Sequence, residues 1–447
     1  MAERTSTLLL SESADPAIPA WWRDWRFFLL LVIALVARAG VGLASWENLQ
    51  ADPDSYRRLA ANILEQQSFT LSDPAEPTAF RPILYPLLLA WVSRSGLVLP
   101  AEVFGLHLVL GLLTVAGAYA LARKLDLAKW RLWAGLLVAF DPILMHQATL
   151  VMNETLSALL AVTAWLALLA LIDTVRGDVN RIPPRELTIR GVNLGGALLL
   201  AFYCRPTFVI WAALAPLTLL GVEAKWGRRG QAVAAVGLTC LFLLAPWVVR
   251  NIMIFDAPVI ATTHGGYTLL WGNNREYYDH LKEGHGDIWD SSPFHARFGE
   301  AHPHKGTSAS ELARDRAANR EAVRTISDQP GMFAYSSLLR LASFWRPWPL
   351  PLSEEESFKR RILRYAVGAW YWVLLPLAAC GCWQLGRNCF RPEWLAGLLL
   401  PITFTAIHLV YWTDMRMRAP VMPVIAVLAC VALNAAFERY RSSPSLG

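Results

Sequence analysis

The chain has 447 residues, of which 55% are apolar and only 17% charged, and its mean hydropathy is +0.35. Soluble domains carry about 25% charged residues, so a water-soluble protein is excluded despite a length that would otherwise suggest several domains. The 20 Trp, 18 Phe and 12 Tyr suit a polytopic membrane protein with interfacial aromatic belts, and the net charge of +6 points to basic cytoplasmic loops rather than to a nucleic-acid surface.

In chain order, residues 1–26 form a polar cytoplasmic segment ending in Trp21, Trp22 and Trp25 with Arg23 and Arg26. An apolar run from Phe27 to about Ser45 follows, near the ~20 residues that span a bilayer and without a small-residue cleavage pattern, and is expected to stay as the first transmembrane helix. Further apolar runs begin near Pro82, Ala101, Leu132, Thr155, Gly191, Pro206, Gln231, Ile362, Trp394 and Ala419. The short basic loops at 123–131, around Arg176, Arg181, Arg185 and Arg190, and at 225–229 are expected to be cytoplasmic. All agree if Pro82 to Leu99 is a re-entrant or juxtamembrane helix on the outer side. Ten crossings then remain, with both termini inside. The expected division is a transmembrane region at 27–248 holding an outer loop at 46–100, an extracytoplasmic loop at 249–361, a second transmembrane region at 362–437 and a cytoplasmic tail at 438–447.

Within the first outer loop, Tyr56, Leu59, Ala60, Ile63 and Leu64 share one face at helical spacing, which predicts an amphipathic interfacial helix. Asp52-Pro53-Asp54 stands at its head. This fits an N-cap with Pro53 at the first helical position, and it also fits a carboxylate held at the membrane surface as a general base. Arg81 in the stretch 78–86, Arg250 just past a crossing, and Arg416 and Arg418 before the last one break the positive-inside preference on the outer face. Each suits an interfacial anchor; gathered beside an acidic pair, they also suit phosphate binding. The 249–361 loop holds His264-Gly265-Gly266-Tyr267 and a helix from about Ser310 to Ser327, with Ser308 and Glu311 as a capping box and Pro330 closing it. It reads as a cover over the substrates. His280, His285, His295, His302 and His304 are irregularly spaced and predict no metal site. The six cysteines lie in or beside apolar stretches, which argues against a disulfide framework.

Taken in order, Asp52-x-x-x-Tyr56 with Leu59-Ala60, FRPILYP (80–86), Asn153-Glu154, CRPTF (204–208), APWVVRN (245–251) and RMRAPVMP (416–423) resemble the integral-membrane glycosyltransferases of the GT-C fold. Among these, the chain is most similar to the branch containing protein O-mannosyltransferases and the lipid A aminoarabinose transferase. The stretch 311–347 also resembles the helical loop of bacterial members. The resemblance implies an all-α polytopic bundle of about ten transmembrane helices with outer juxtamembrane helices and a long helical outer loop. It implies inverting transfer of a sugar from a polyprenyl phosphate to an acceptor hydroxyl on the outer face of the inner membrane. By the same resemblance Asp52 is the catalytic acid, with Asp54 standing where many relatives place the second acid one residue earlier. Arg81 and Arg250 hold the lipid phosphate, with Arg416 and Arg418 a second pair; Tyr56, Tyr85, Glu154 and His264 touch substrate. No metal or other cofactor is expected, since relatives using polyprenyl monophosphates work without one. The partners are the lipid-linked donor and an acceptor protein or envelope glycan.

The chemistry agrees with the resemblance. A departing polyprenyl phosphate needs its growing negative charge stabilised, which guanidinium groups do, while an attacking hydroxyl must give up a proton, which a carboxylate can take. The competing class is a transporter or lipid-linked-glycan flippase, which would carry ionisable groups at mid-membrane instead of at helix ends. Neither the sugar nor the acceptor can be read from the sequence.

Overall fold

The computed structural model describes residues 24–72, 76–94, 96–178, 182–284, 289–351 and 356–442; Trp21, Trp22, Arg23, Arg181, His285 and the end of the tail lie outside these. Among the described residues every regular element is helical, apart from one isolated bridge between Thr70 and Pro77. The first part of the chain forms α1 (Trp25–Ala44), α2 (Tyr56–Gln66), α3 (Leu84–Val92), α4 (Pro100–Lys124), α5 (Arg131–Ala139), α6 (Pro142–Gln147), α7 (Glu154–Arg176), α8 (Pro184–Cys204), α9 (Val209–Leu214) and α10 (Trp226–Phe255). Five helices make up the long loop: α11 (Gly265–Gly272), α12 (Arg275–Lys282), α13 (Ser292–Ala301), α14 (Ser308–Asp328) and α15 (Pro330–Trp345). The chain then returns to the bundle as α16 (Phe358–Leu385), α17 (Pro392–His408) and α18 (Met422–Ser442).

Seven helices, α1, α4, α7, α8, α10, α16 and α18, are long and apolar enough to cross a membrane. The other three expected crossings are shorter pieces. Asp141-Pro142 splits α5 from α6, because proline favours the first position of a new helix and the Asp141 carboxylate caps it, accepting from Leu144 N at 3.0 Å. The stretch 206–221 alternates 3₁₀ and α turns, and α17 is 17 residues long. α3 is nine residues, about 14 Å of helix, and cannot span the ~30 Å core of a bilayer. The end of α1 and the start of α4 accordingly lie at the same end of the bundle.

Ion pairs show which helix ends lie together. At one end Arg131 pairs with Asp24 (3.0 Å), Lys124 with Asp173 (2.6 Å), Lys129 with Glu438 (3.0 Å) and Arg176 with Glu393. This gathers the starts of α1, α5 and α17 and the ends of α4, α7 and α18, which are the basic loops of the sequence. The acidic first loop, the start of α7, the end of α8 and the helices α11–α15 lie at the other end. Small residues let the helices approach closely: a Cβ on Gly195 of α8 would come within 2.8 Å of the Val236 carbonyl oxygen of α10, and one on Gly381 of α16 would collide with the Leu428 carbonyl of α18.

Several boundaries differ from the sequence expectation. α10 runs on to Phe255, so Arg250 sits in its last turns rather than past its end, and α16 begins before Arg361. α8 begins at Pro184, seven residues before the apolar run, because its polar first turns extend the same helix. Charged groups also lie buried inside the bundle, not only at its outer end. Arg38 of α1 is 4% exposed, Asp141 1% and Arg418 fully buried. Tyr371 Oη donates to Asp141 at 3.0 Å, the Arg418 guanidinium lies 4.4 Å over the Tyr371 ring, and Arg38 donates to the Val138 carbonyl at 2.9 Å.

Candidate active site

The site is built on the first outer loop. α2 starts at Tyr56, three residues later than a helix headed by Pro53 would, and Ser55 before it adopts a left-handed conformation with φ 60°. That reversal swings the chain so that Asp52 caps α2 from outside: one carboxylate oxygen accepts from Arg57 N (3.1 Å) and the other from Arg58 N (3.0 Å). Each oxygen keeps a lone pair, and the carboxylate is only partly buried. Asp54 is committed differently. Its carboxylate pairs with Arg81 Nη2 at 2.8 Å while Arg81 Nε donates to its backbone oxygen at 3.1 Å. Capping and ion pairing thus divide between the two acids.

Beneath this pair lies a buried aromatic and polar stack. Tyr56 meets Tyr85 edge to face at 5.1 Å and accepts from Asn153 Nδ2 at 3.0 Å. Burial raises the Tyr56 phenol above its usual range, so it remains a neutral donor. Tyr85 Oη lies 2.8 Å from His107 Nε2, and His107 Nδ1 lies 2.9 Å from the Ala148 carbonyl. The carbonyl can only accept, so Nδ1 carries the proton and Tyr85 donates to Nε2. Next to Asn153, Glu154 is 2% exposed and lies 3.2 Å from Arg205. Arg416 closes the ring: it pairs with Asp414 at 3.1 Å, donates to Met152 Sδ at 3.1 Å, and lies within electrostatic reach of Glu154 and Asp54.

The helices of the long loop close over the first loop from above. α14 is capped by Thr307, not Ser308, and Glu311 does not reach back to complete a capping box. Its carboxylate crosses to the first loop, accepting from Thr78 Oγ1 (2.5 Å) and Ala79 N (3.0 Å), and accepts as well from Thr263 Oγ1 just before α11. Pro330 begins α15 as well as following α14. His264 packs on Phe80 with ring centroids 4.5 Å apart. Burial, followed by the charges of Arg81 and Arg314, lowers its pKa from 6.5 to about 3, so it faces the site as a neutral imidazole.

Of the residues expected from sequence, the structure gathers Asp52, Asp54, Tyr56, Arg81, Tyr85, Glu154, His264 and Arg416 around one region. It places Arg250 and Arg418 elsewhere. Arg250 donates from Nη1 to the Thr78 carbonyl (2.9 Å) and to Asn251 Oδ1 (2.7 Å), between the rings of Trp247 and Phe69. Arg418 points into the bundle and holds the carbonyls of Phe344 (3.0 Å) and Arg346 (2.7 Å) at the end of α15. Sequence reasoning named neither Arg205 nor Asn153 as a site residue and read Glu311 only as half of a capping box. The first two lie inside quoted motifs and were within reach; Glu311 was hidden by its fit to a capping box.

No family model matches the sequence, and no curated protein matches it. Solved structures do. An oligosaccharyltransferase of Archaeoglobus fulgidus, tethered to an acceptor peptide containing the NVT sequon, superposes with a TM-score of 0.58 at 15% identity, over 95% of this chain and 51% of that one. The oligosaccharyltransferase AglB of the same organism, in complex with an inhibitory peptide and a dolichol-phosphate, gives 0.58 at 17% identity, over 95% and 52%. The chain spans about half the length of these proteins. ArnT of Cupriavidus metallidurans bound to undecaprenyl phosphate gives 0.44 at 14% identity over 91% and 77%, a likeness too low to assign the chain to that branch. The fold is that of the GT-C membrane glycosyltransferases.

Proposed function

We propose that the protein is an inverting glycosyltransferase that moves a sugar from a polyprenyl phosphate to an acceptor hydroxyl on the extracytoplasmic face of the inner membrane. The observation that carries this reading is the convergence of two acids of one loop with Arg81 and Arg416 where the helix ends meet the outer helices. Arg81 and Arg416 receive the donor phosphate and stabilise the charge it gains on leaving. Arg250 and Arg418 act indirectly, the first by fixing the 78–81 stretch and the second by fixing the end of α15.

Asp54 orients Arg81, which leaves Asp52 as the base that takes the acceptor proton; helix capping fixes its position while a lone pair on each oxygen stays open. In this reading guanidiniums stabilise the phosphate, and that step is assigned to them rather than to a metal. The gathering of the basic loops at the opposite end of the bundle supports an outward-facing site with both termini inside.

The test is a radiolabelled panel of undecaprenyl-phosphate sugars offered to purified protein, with its Asp52→Asn and Asp54→Asn variants. Asp52→Asn should lose turnover by about 10² to 10⁴ while still binding undecaprenyl phosphate, and Asp54→Asn should weaken that binding. The reverse pattern exchanges the two roles. Transfer from none of the donors removes the glycosyltransferase reading.

A further inference from the structure

Beside the acids lies a second polar group that the mechanism above leaves idle. It brings together the start of α7, the end of α8, the end of α17 and the 3₁₀ turn Met415–Val421. Glu154 is 2% exposed, Arg205 8% and His408 3%. Glu154 Oε1 lies 3.2 Å from Arg205 Nη1, but Glu154 Oε2 has no hydrogen-bond partner and Arg205 Nη1 donates no aligned hydrogen bond, while the His408 ring has only the Trp412 backbone as a partner, which leaves its other nitrogen open. Arg205 is held in place by its other terminal nitrogen, which lies 2.9 Å from Met417 Sδ. The charge of Arg205 is felt at the His408 ring, which stacks on Phe344 at 5.2 Å.

Buried polar atoms without partners are few in native proteins, because each gives up its water and gains nothing for it. Several at one point, on side chains already fixed in place, mark a polar occupant. We propose that Glu154, Arg205 and His408 form the subsite that reads the donor sugar, and that it selects an uncharged, hydroxyl-rich ring. The inference rests on the donor reading given above.

The balance of charge and hydrogen bonding names the class. Glu154 and Arg205 neutralise one another, so the subsite offers no net charge to a charged substituent. The carboxylate of a uronic acid would meet Glu154 Oε2, a lone pair in a dry place. A hydroxyl group satisfies both sides, donating to Glu154 Oε2 or accepting from Arg205 Nη1, and the His408 nitrogen that does not face the Trp412 backbone can accept from another hydroxyl. The location fits as well. The charge of Glu154 reaches both Arg416 and Tyr56, and Tyr56 also feels Arg81 and Asp54, so the subsite adjoins the phosphate-binding arginines.

The experiment measures binding of three probes to the full-length protein in nanodiscs: undecaprenyl phosphate, undecaprenyl-phosphate-glucose and undecaprenyl-phosphate-glucuronic acid. Wild type should bind the glucose lipid at least tenfold more tightly than either of the others. The double variant Glu154→Gln, Arg205→Gln removes both charges together, and it should lose that preference while its affinity for bare undecaprenyl phosphate changes less than twofold. His408→Gln disturbs the fold less and should reduce the preference about threefold. A wild type that binds bare and glucose-bearing lipid equally, or prefers the glucuronic acid lipid, overturns the subsite and leaves the donor reading standing, as do variants that keep the full preference. A wild type that binds none of the three overturns the donor reading and the subsite with it.

Discussion

Replacing Glu311 by alanine should release the roof of the site from its floor. Its carboxylate is 6% exposed and accepts three hydrogen bonds, from Thr78 Oγ1, Ala79 N and Thr263 Oγ1, joining the first outer loop to α14 and to the approach to α11. Hydrogen bonds to a charged group contribute about 1.5 to 3 kcal/mol each, and the two hydroxyls can turn to water once the acceptor has gone, so the combined loss is about 3 to 5 kcal/mol for Glu311→Ala. Glu311→Gln keeps one acceptor oxygen and should lose about 1 to 2 kcal/mol. The Ala79 amide reports this directly. Its hydrogen exchange should accelerate by about 10² or more in Glu311→Ala, at tenfold per 1.4 kcal/mol, with amides in the middle of α7 unchanged. Because Arg81 lies two residues beyond Ala79, affinity for undecaprenyl phosphate should fall in parallel. An Ala79 amide exchanging at the wild-type rate in Glu311→Ala would show that the first loop is held by something else, and the reasoning would fail.

Arg250→Lys keeps the charge but loses the stack between Trp247 and Phe69 and the aligned donation to Thr78, a change of about 1 to 2 kcal/mol that should appear as a lowered thermal midpoint; a midpoint equal to wild type would make Arg250 a simple interfacial anchor. His264 titrates near 3 when folded and near 6.5 when unfolded, so the unfolded chain takes up a proton first as the pH falls below 6.5, and stability should drop by about 1.4 kcal/mol per pH unit down to pH 3. His264→Gln should remove that part of the slope between pH 7 and pH 5, and an unchanged slope would locate the effect elsewhere. In a cysteine-free background, Arg94→Cys should react with an impermeant thiol reagent in intact cells and Lys124→Cys should not, because Lys124 pairs with Asp173 at the basic end of the bundle. Labelling of Lys124→Cys would invert the topology and put Glu154 on the cytoplasmic side.

What the sequence revealed follows from how local each signal is. Long apolar runs report crossings because a bilayer imposes one length on all of them, and α1 appears within two residues of its expected start. The short length of α3 was legible through the loops on either side, whose charge allowed only one topology. Positions that depend on long-range partners were not legible. Nothing near Arg418 in the sequence shows that Tyr371 and Asp141 draw it into the bundle, while Arg416, two residues away, turns to Asp414 and the acids. The order of Asp52 and Asp54 along the chain could not show that one caps a helix and the other binds an arginine; that follows from the left-handed turn at Ser55. Leu64, counted on the buried face of α2, is 36% exposed because the helix packs only through its first turns.

The contact between Thr78 and Glu311 spans 233 residues of chain. A ribosome has made all of α3 to α13 after Thr78 before it adds the residue that fastens the loop. During that interval the acids and Arg81 stand at the bundle surface without their cover, and a chain released early, even with α1 to α10 packed, carries an open half-site. In the reading proposed above, the covered site is therefore complete only late in synthesis, once α14 has joined the loop that bears the acids.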